Sequence, residues 1–153
     1  ARIEGGVRVE GAMPFARRNR MSLADLHAMI GMIDEGRGFE LSEAAWGVLR
    51  RAMTCGPSEA GFLGLPRFHV KFFGPGVERI VPGATLLNKC GRAYGFTIDN
   101  AVIRSVGKPT VRLTACVLTN ANGVLNDDVY EYDEIASPLL ADLAEIVVRR
   151  FWG

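Results

Sequence analysis

Three β-rich runs follow one another, Ala84 to Asn88, Phe96 to Arg104 and Val111 to Asn120, with connections of turn size between them. Links that short cannot return a chain to the same end of a sheet, so the spacing predicts three adjacent antiparallel strands. Asn122-Gly123 is a strong turn signal, and after the polar Asn126-Asp127-Asp128 segment Ser137-Pro138 sets a cap and an N1 proline at the head of a last helix. Leu139, Leu140, Leu143, Ile146, Val147 and Phe151 give that helix, over 137–151, a broad apolar stripe. Such a stripe needs a hydrophobic surface to cover, and one face of the sheet over 84–120 supplies it. The expected fold is α+β, an α/β sandwich with the C-terminal helix packed on an antiparallel sheet.

Upstream, Ser22 and Asp25 stand three apart as in a capping box. Leu23, Leu26, Ile30 and Ile33 then recur at helical spacing, and Gly36 stops the run. A second helix begins at Ser42, with Glu43 offsetting the helix dipole and Trp46, Leu49 and Met53 on one face. Cys55-Gly56-Pro57 ends it, so the helices together occupy 22–54. From there to about Gly83 the density of Gly and Pro implies loops. Phe68 to Phe73 interrupts them as a short strand or buried extended segment. Residues 1–20 show little periodicity beyond Val7 to Glu10, and Ala1 is not a methionine. They read as an irregular lead-in with a truncated start.

Composition narrows the function. At 153 residues and 48% hydrophobic, the chain can bury one sizeable core. A net charge of +1 gives no field to gather nucleic acid or an anionic membrane, and Arg17-Arg18-Asn19-Arg20 reads as a solvated loop. No apolar run approaches the roughly 20 residues that span a bilayer, so no membrane span is expected. Cys55, Cys90 and Cys116 lack C-x-x-C spacing and read as reduced, packed thiols. His27 and His69 are too few for a histidine-rich metal site, and His27 among apolar residues reads as core or interface. No cofactor and no metal are expected.

Chemistry concentrates in Lys89-Cys90-Gly91, followed by Tyr94-Gly95-Phe96 and Asp99 to Ile103. A lysine next to a strand glycine marks a groove where a ligand can approach the main chain. The order of elements together with these residues resembles the second half of a class A β-lactamase-like serine hydrolase, from roughly Met21 to the C-terminus. The likeness is strongest over Asn88 to Ile103 and Asn126 to Asp133. Asn88-Lys89-Cys90-Gly91-Arg92-Ala93-Tyr94-Gly95 looks like the form used by the family's uncharacterised serine hydrolase branch, and Asn126 to Asp133 looks like that branch's polar lead into the final helix.

The resemblance implies a β-lactamase/transpeptidase-like fold with the N-terminal part of the α domain missing, and a bacterial enzyme acting in the periplasm or outside the cell. It implies an acyl-enzyme mechanism on a small-molecule or peptide amide or ester, of β-lactam or cell-wall peptide type. Lys89 would hold positive charge in the groove and tune the proton relay, and the backbone N–H of Arg92 would be one of two oxyanion donors. Cys90, Gly91 and Tyr94 would contact substrate. Cys90 stands where β-lactamases carry Ser or Thr, so a hydroxyl for the antibiotic's carboxylate is missing.

The nucleophile is also missing. Ser105-Val106-Gly107-Lys108 fits S-x-x-K by letters, but Pro109 and its place between strands argue for a loop. No S-x-N is present, and Glu10, the candidate position for the deacylating glutamate, reads better as a solvated surface residue. Tyr94 either lines the groove or packs at the hairpin. Asp99 and Asn100 read as turn or edge polarity before second-rank site groups. Asp127, Asp128, Glu131 and Asp133 do not match a calcium loop and read as dipole-compensating polarity before a helix. Lys71 points outward from an apolar segment. Two functions stay open: a serine hydrolase whose nucleophile lies outside this chain, and a non-catalytic binding or scaffold domain that keeps the sheet. Unpartnered faces such as Trp46 and Leu49 make self-association an expectation.

Overall fold

The computed structural model describes residues 2–9, 20–57, 72–124 and 127–153. His69, Lys71, Glu10 and Arg17 to Asn19 lie outside them. In chain order the elements are β1 (Arg2–Glu4), β2 (Val7–Val9), α1 (Leu23–Glu35), α2 (Glu43–Met53) and β3 (Thr54–Cys55). Then come α3 (Gly74–Ile80), β4 (Thr85–Ala93), β5 (Phe96–Arg104), β6 (Val111–Leu118), a π-helical turn (Tyr132–Ala136) and α4 (Ser137–Trp152).

β3 to β6 form one antiparallel sheet in the order β3-β4-β5-β6. The sheet is thus wider than three strands, although β3 pairs only Thr54 with Leu87 and Cys55 with Leu86. Alternation along the strands sends Leu86, Ala101, Ile103 and Val111 to one face, where α4 presents Leu140, Ala144, Val148 and Trp152. Phe72, Phe73 and Val77, at the head of α3, complete this main core. Leu87 and Val102 point to the other face and meet Ile30 of α1. Both faces are covered, each fully buried aliphatic side chain contributing about 1.5–3 kcal/mol.

The termini of α1 and α2 follow the sequence. Ser22 caps α1 in a capping box with Asp25, and Gly36 ends it in the left-handed conformation at φ 68°. Ser42 caps α2 by accepting from the Ala45 N–H at 3.2 Å. Trp46 is buried rather than unpartnered, because Phe39 folds back onto it with ring centroids 5.9 Å apart.

Elsewhere the structure corrects the expectations. The lead-in contains a hairpin, β1 pairing β2 from Arg2–Val9 to Glu4–Val7 around Gly5 and Gly6, both at positive φ. The stretch expected to be loops up to Gly83 contains α3, with Pro75 in its first turn and Phe72 and Phe73 buried just ahead of it. Ser137 does not cap α4. It is the first residue of that helix, and its hydroxyl donates to the Tyr132 carbonyl at 2.9 Å across the π turn.

The apolar stripe of α4 is also rotated from the expected one. Leu140, Ala141, Ala144, Val148 and Trp152 are buried, whereas Leu139, Ile146 and Phe151 are exposed. Small residues on the inner face let α3 approach until a Cβ on Gly76 would lie 1.8 Å from the Ala141 carbonyl oxygen. Trp152 is fixed at the far end, its indole N–H donating to the Pro109 carbonyl at 2.8 Å. Arg79 of α3 reaches across to Asp142 and Glu145 of α4.

Gly76→Ala is therefore expected to destabilise the protein by about 3 kcal/mol, lowering the melting temperature by roughly 6–12 °C. A thermal melt within error of wild type would refute the α3–α4 packing. The Arg149 and Arg79 guanidinium groups hold the Glu145 carboxyl below its ordinary value of 4.5. Because its folded value is lower than its unfolded one, the stabilisation is present above about pH 4.5 and is lost as pH falls below it. Glu145→Gln should flatten that part of the pH–stability curve, as read from melting temperatures across the acid range.

Candidate functional site

The β4–β5 hairpin sets the site. Tyr94 at φ 53° and Gly95 at φ 82° are its two turn residues, the left-handed pair of a type I′ turn. Gly95 is required there, because a Cβ would lie 2.5 Å from the Thr119 carbonyl oxygen. Lys89 and Gly91 are strand residues as expected, and β4 runs on to Ala93, five positions past the β-rich run that ended at Asn88. Tyr94, expected to line a groove or to pack across strands, is the first turn residue itself and is 40% exposed.

In a two-residue hairpin the closing pair, Ala93 and Phe96, exchanges both backbone hydrogen bonds. Alternation then makes Gly91–Ile98 and Lys89–Asn100 bonded pairs, and directs the N–H and C=O of Arg92 and Cys90 away from β5. Past Leu87 that outer edge meets no strand among the described residues. The Lys89 ammonium folds onto it, donating to the Cys90 carbonyl at 2.8 Å.

Side chains sort by face. Lys89 and Gly91 share the α1 face with Asn100 and Ile98, whereas Cys90 and Arg92 turn to the α4 face. Between α1 and β4 lies a cleft of about 280 Å³. Leu26, Met29 and Ile33 of α1 and Met53 of α2 form one wall, and Lys89, Gly91 and Ile98 the other. Its surface is almost entirely carbon and sulfur, and among the described residues Lys89 is the one charged residue lining it.

Gly91 is unlike the other tight glycines of the fold. Its φ is not in the left-handed region, and an added Cβ would meet only Ile98 Cγ2 at 3.6 Å, ordinary contact. A glycine in mid-strand costs roughly 0.5–1 kcal/mol relative to alanine. Among the described residues nothing offsets that cost here. The missing side chain leaves the strand open toward the cleft.

α1 is held over the sheet by a polar chain. The Asn100 amide donates to the Leu26 carbonyl at 2.7 Å and accepts from the Thr114 hydroxyl at 2.7 Å. Thr114 has a single proton, already given to Asn100, so His27 Nδ1 is the donor in its 2.9 Å contact with Thr114. His27 is thus at an interface but exposed, and Asn100 is 4% exposed rather than edge polarity.

Asp99 is likewise not turn polarity. It is fully buried on the α4 face and accepts four hydrogen bonds, from the N–H groups of Phe72 at 2.7 Å, Phe73 at 3.0 Å and Asn100 at 2.9 Å and from Asn88 Nδ2 at 3.0 Å. Burial pushes its carboxyl above the ordinary aspartate range, and those donors pull against that shift. Its work is structural, tying β5 to β4 and to the start of α3.

The remaining candidates separate. Arg92 directs its guanidinium to Asp133 at 2.5 Å, with its central carbon 4.9 Å from the Tyr132 ring centroid. Ser105 to Lys108 form the β5–β6 turn, with Gly107 at φ 71°, Val106 fully exposed and Lys108 donating to the Trp152 carbonyl at 2.6 Å. Glu131 accepts from the Ala121 N–H, and Asp127 from Val129 N–H and Asn122. Among the described residues no group of three His, Cys, Asp or Glu side chains could hold a metal ion. No disulfide involves Cys55, Cys90 or Cys116, and burial raises the Cys116 thiol above its ordinary value. Among the described residues no helix is long and apolar enough to cross a membrane.

Sequence reasoning missed the cleft wall. Leu26, Met29, Ile33 and Met53 were legible only as helical apolar stripes, which reads equally as core. It also missed the His27–Thr114–Asn100 chain, because 87 residues separate His27 from Thr114. Comparison with protein-family models, with characterised proteins and with solved structures finds no match to this chain.

Gly91→Ala should raise the melting temperature by roughly 2–4 °C, since alanine fits and strand entropy improves. A fall of that size would show that the fold itself needs the glycine.

Proposed function

We propose that this chain is the C-terminal half of a β-lactamase-like serine hydrolase, with the N-terminal part of the α domain outside it. The α+β architecture, a four-stranded antiparallel sheet with the C-terminal helix packed on one face, is compatible with that fold. The observation that carries the reading is Gly91. Among the described residues, a glycine that neither backbone geometry nor packing requires lies beside the one charged residue of an apolar cleft, on a strand that meets no outer neighbour past Leu87.

The mechanism follows from that edge. A serine hydroxyl attacks an acyl carbonyl when a base takes its proton and preorganised donors hold the oxygen that becomes negative. Gly91 lets the acyl group lie flat against β4, and the outward N–H of Arg92 serves as one of two oxyanion donors. Removing such a donor costs about 3 kcal/mol of transition-state stabilisation. Lys89 supplies positive charge at the cleft mouth, for a substrate carboxylate and for the proton relay. Tyr94, at the turn beside this edge, contacts the part of the substrate that projects past the strand. The nucleophile comes from outside the chain, since Ser105 sits in the β5–β6 turn with no helix to activate it.

The substrate is an amide or ester of β-lactam or cell-wall peptide type, met in the periplasm or outside the cell. Cys90 lacks the hydroxyl that would grip a β-lactam carboxylate, and its side chain turns to the α4 face, so ester or peptide hydrolysis fits better than antibiotic turnover.

The full-length protein should be labelled stoichiometrically by a fluorophosphonate, and these 153 residues alone should not. Lys89→Ala should slow labelling of the full-length protein at least about 100-fold without unfolding it. Unchanged labelling in that variant would remove Lys89 from the mechanism. A full-length protein inert to the probe would favour the binding or scaffold domain instead.

A further inference from the structure

We infer that Tyr132 and Asp133, on the π-helical turn before α4, are positioning residues for the oxyanion donor at Arg92. The inference rests on the hydrolase reading above. Arg92 presents two parts in different directions: its N–H points away from β5, to an edge that past Leu87 meets no strand among the described residues, while its side chain turns to the α4 face. That side chain is gripped twice. Asp133 accepts from its guanidinium at 2.5 Å, and Tyr132 lies under it with the ring centroid 4.9 Å away.

The same turn also holds the other end of the hairpin. The Gly95 N–H donates to the Tyr132 hydroxyl at 2.7 Å, so residues 92 and 95 of one hairpin are both anchored to residues 132 and 133. Gly95 in addition gives its carbonyl to the Thr119 N–H at 2.9 Å. On the β5 side the hairpin end is held by β6 up to the Phe96–Leu118 pair, and on the β4 side Tyr132 and Asp133 are what grips it among the described residues. An oxyanion donor must stay within a few tenths of an ångström of its place to act.

The π geometry is what brings the two side chains round. Ala136 and Ser137 donate to the carbonyls five residues earlier, at Glu131 and Tyr132, which widens the turn before α4 begins. π-helical turns of this kind occur often at functional sites because they re-aim side chains that a regular helix would leave elsewhere. Here the structure of α4 does not need Asp133, which is 71% exposed, and its ion pair with Arg92 adds little stability.

Two measurements test this. In the full-length protein, saturation of fluorophosphonate labelling separates the limiting rate from the half-saturating concentration. Asp133→Asn should lower the limiting rate about 10-fold with half-saturation unchanged, and Asp133→Glu should restore most of it. Tyr132→Phe, which keeps the ring and loses the bond to Gly95, should lower the rate by a similar factor. In the 153-residue chain, Asp133→Asn should shift the Arg92 amide resonance and speed its hydrogen exchange, with an unchanged melting temperature. Wild-type labelling rates in Asp133→Asn, or an unmoved Arg92 amide, would overturn this inference alone. A wild-type protein that takes no label overturns the hydrolase reading and this inference with it.

Discussion

Two residues in the left-handed conformation, Tyr94 and Gly95, decide the register on which everything else rests. A type I′ turn fixes which cross-strand pairs exchange hydrogen bonds, and a slip of one residue would move every side chain of β4 to the opposite face. Lys89 and Gly91 would then leave the cleft, and Leu86 would leave the main core. Glycine is obligatory at the second turn position, where the Thr119 carbonyl approaches. Tyrosine at the first is a strained choice, since a bulky residue at positive φ costs of order 1–2 kcal/mol. The bonds that the turn makes to Tyr132 and Thr119 hold that conformation in place.

Around this hairpin the protein uses two different kinds of adhesive. The α4 face is an apolar core with one buried carboxylate at its margin, Asp99, whose four donors come from both neighbouring chain segments and from β4. The α1 face is only thinly apolar. Ile30, Leu87 and Val102 form its small core, and ion pairs from Arg104 to Asp34 and from Arg112 to Glu35 carry the far end of α1. A helix held by polar chains at its ends and lightly packed at its middle leaves room between itself and the strand. The cleft beside Lys89 is that room.

The fold was legible where local chemistry decides it. Capping residues placed α1 and α2 to within a residue, and β-rich runs placed β5 and the antiparallel sense of the sheet. Local chemistry failed where long-range packing chose. Leu139 and Phe151 looked like core and are exposed, because Gly76 and Ala141 allow α3 to sit closest to another side of α4. Lys89 and Gly91 read as strand residues although the β-rich run itself stopped at Asn88, and β4 reaches Ala93 because each position from Thr85 pairs across to β5. Asp99 and Asn100 looked like surface polarity, yet their partners lie up to 74 residues away, at Leu26, or in an apolar turn around Phe72 and Phe73.

By itself the sequence determined the α+β class of fold, the ends of α1 and α2 and the hairpin turn. Those follow from φ/ψ limits, capping and periodicity, which act within a few residues. Only the tertiary structure decided which way each residue from Lys89 to Gly95 faces, that Gly91 opens on a cleft walled by α1, and that Arg92 is anchored by the turn before α4. Such facts depend on which distant surfaces meet, and burial energy summed over the whole core selects that meeting, not any local preference.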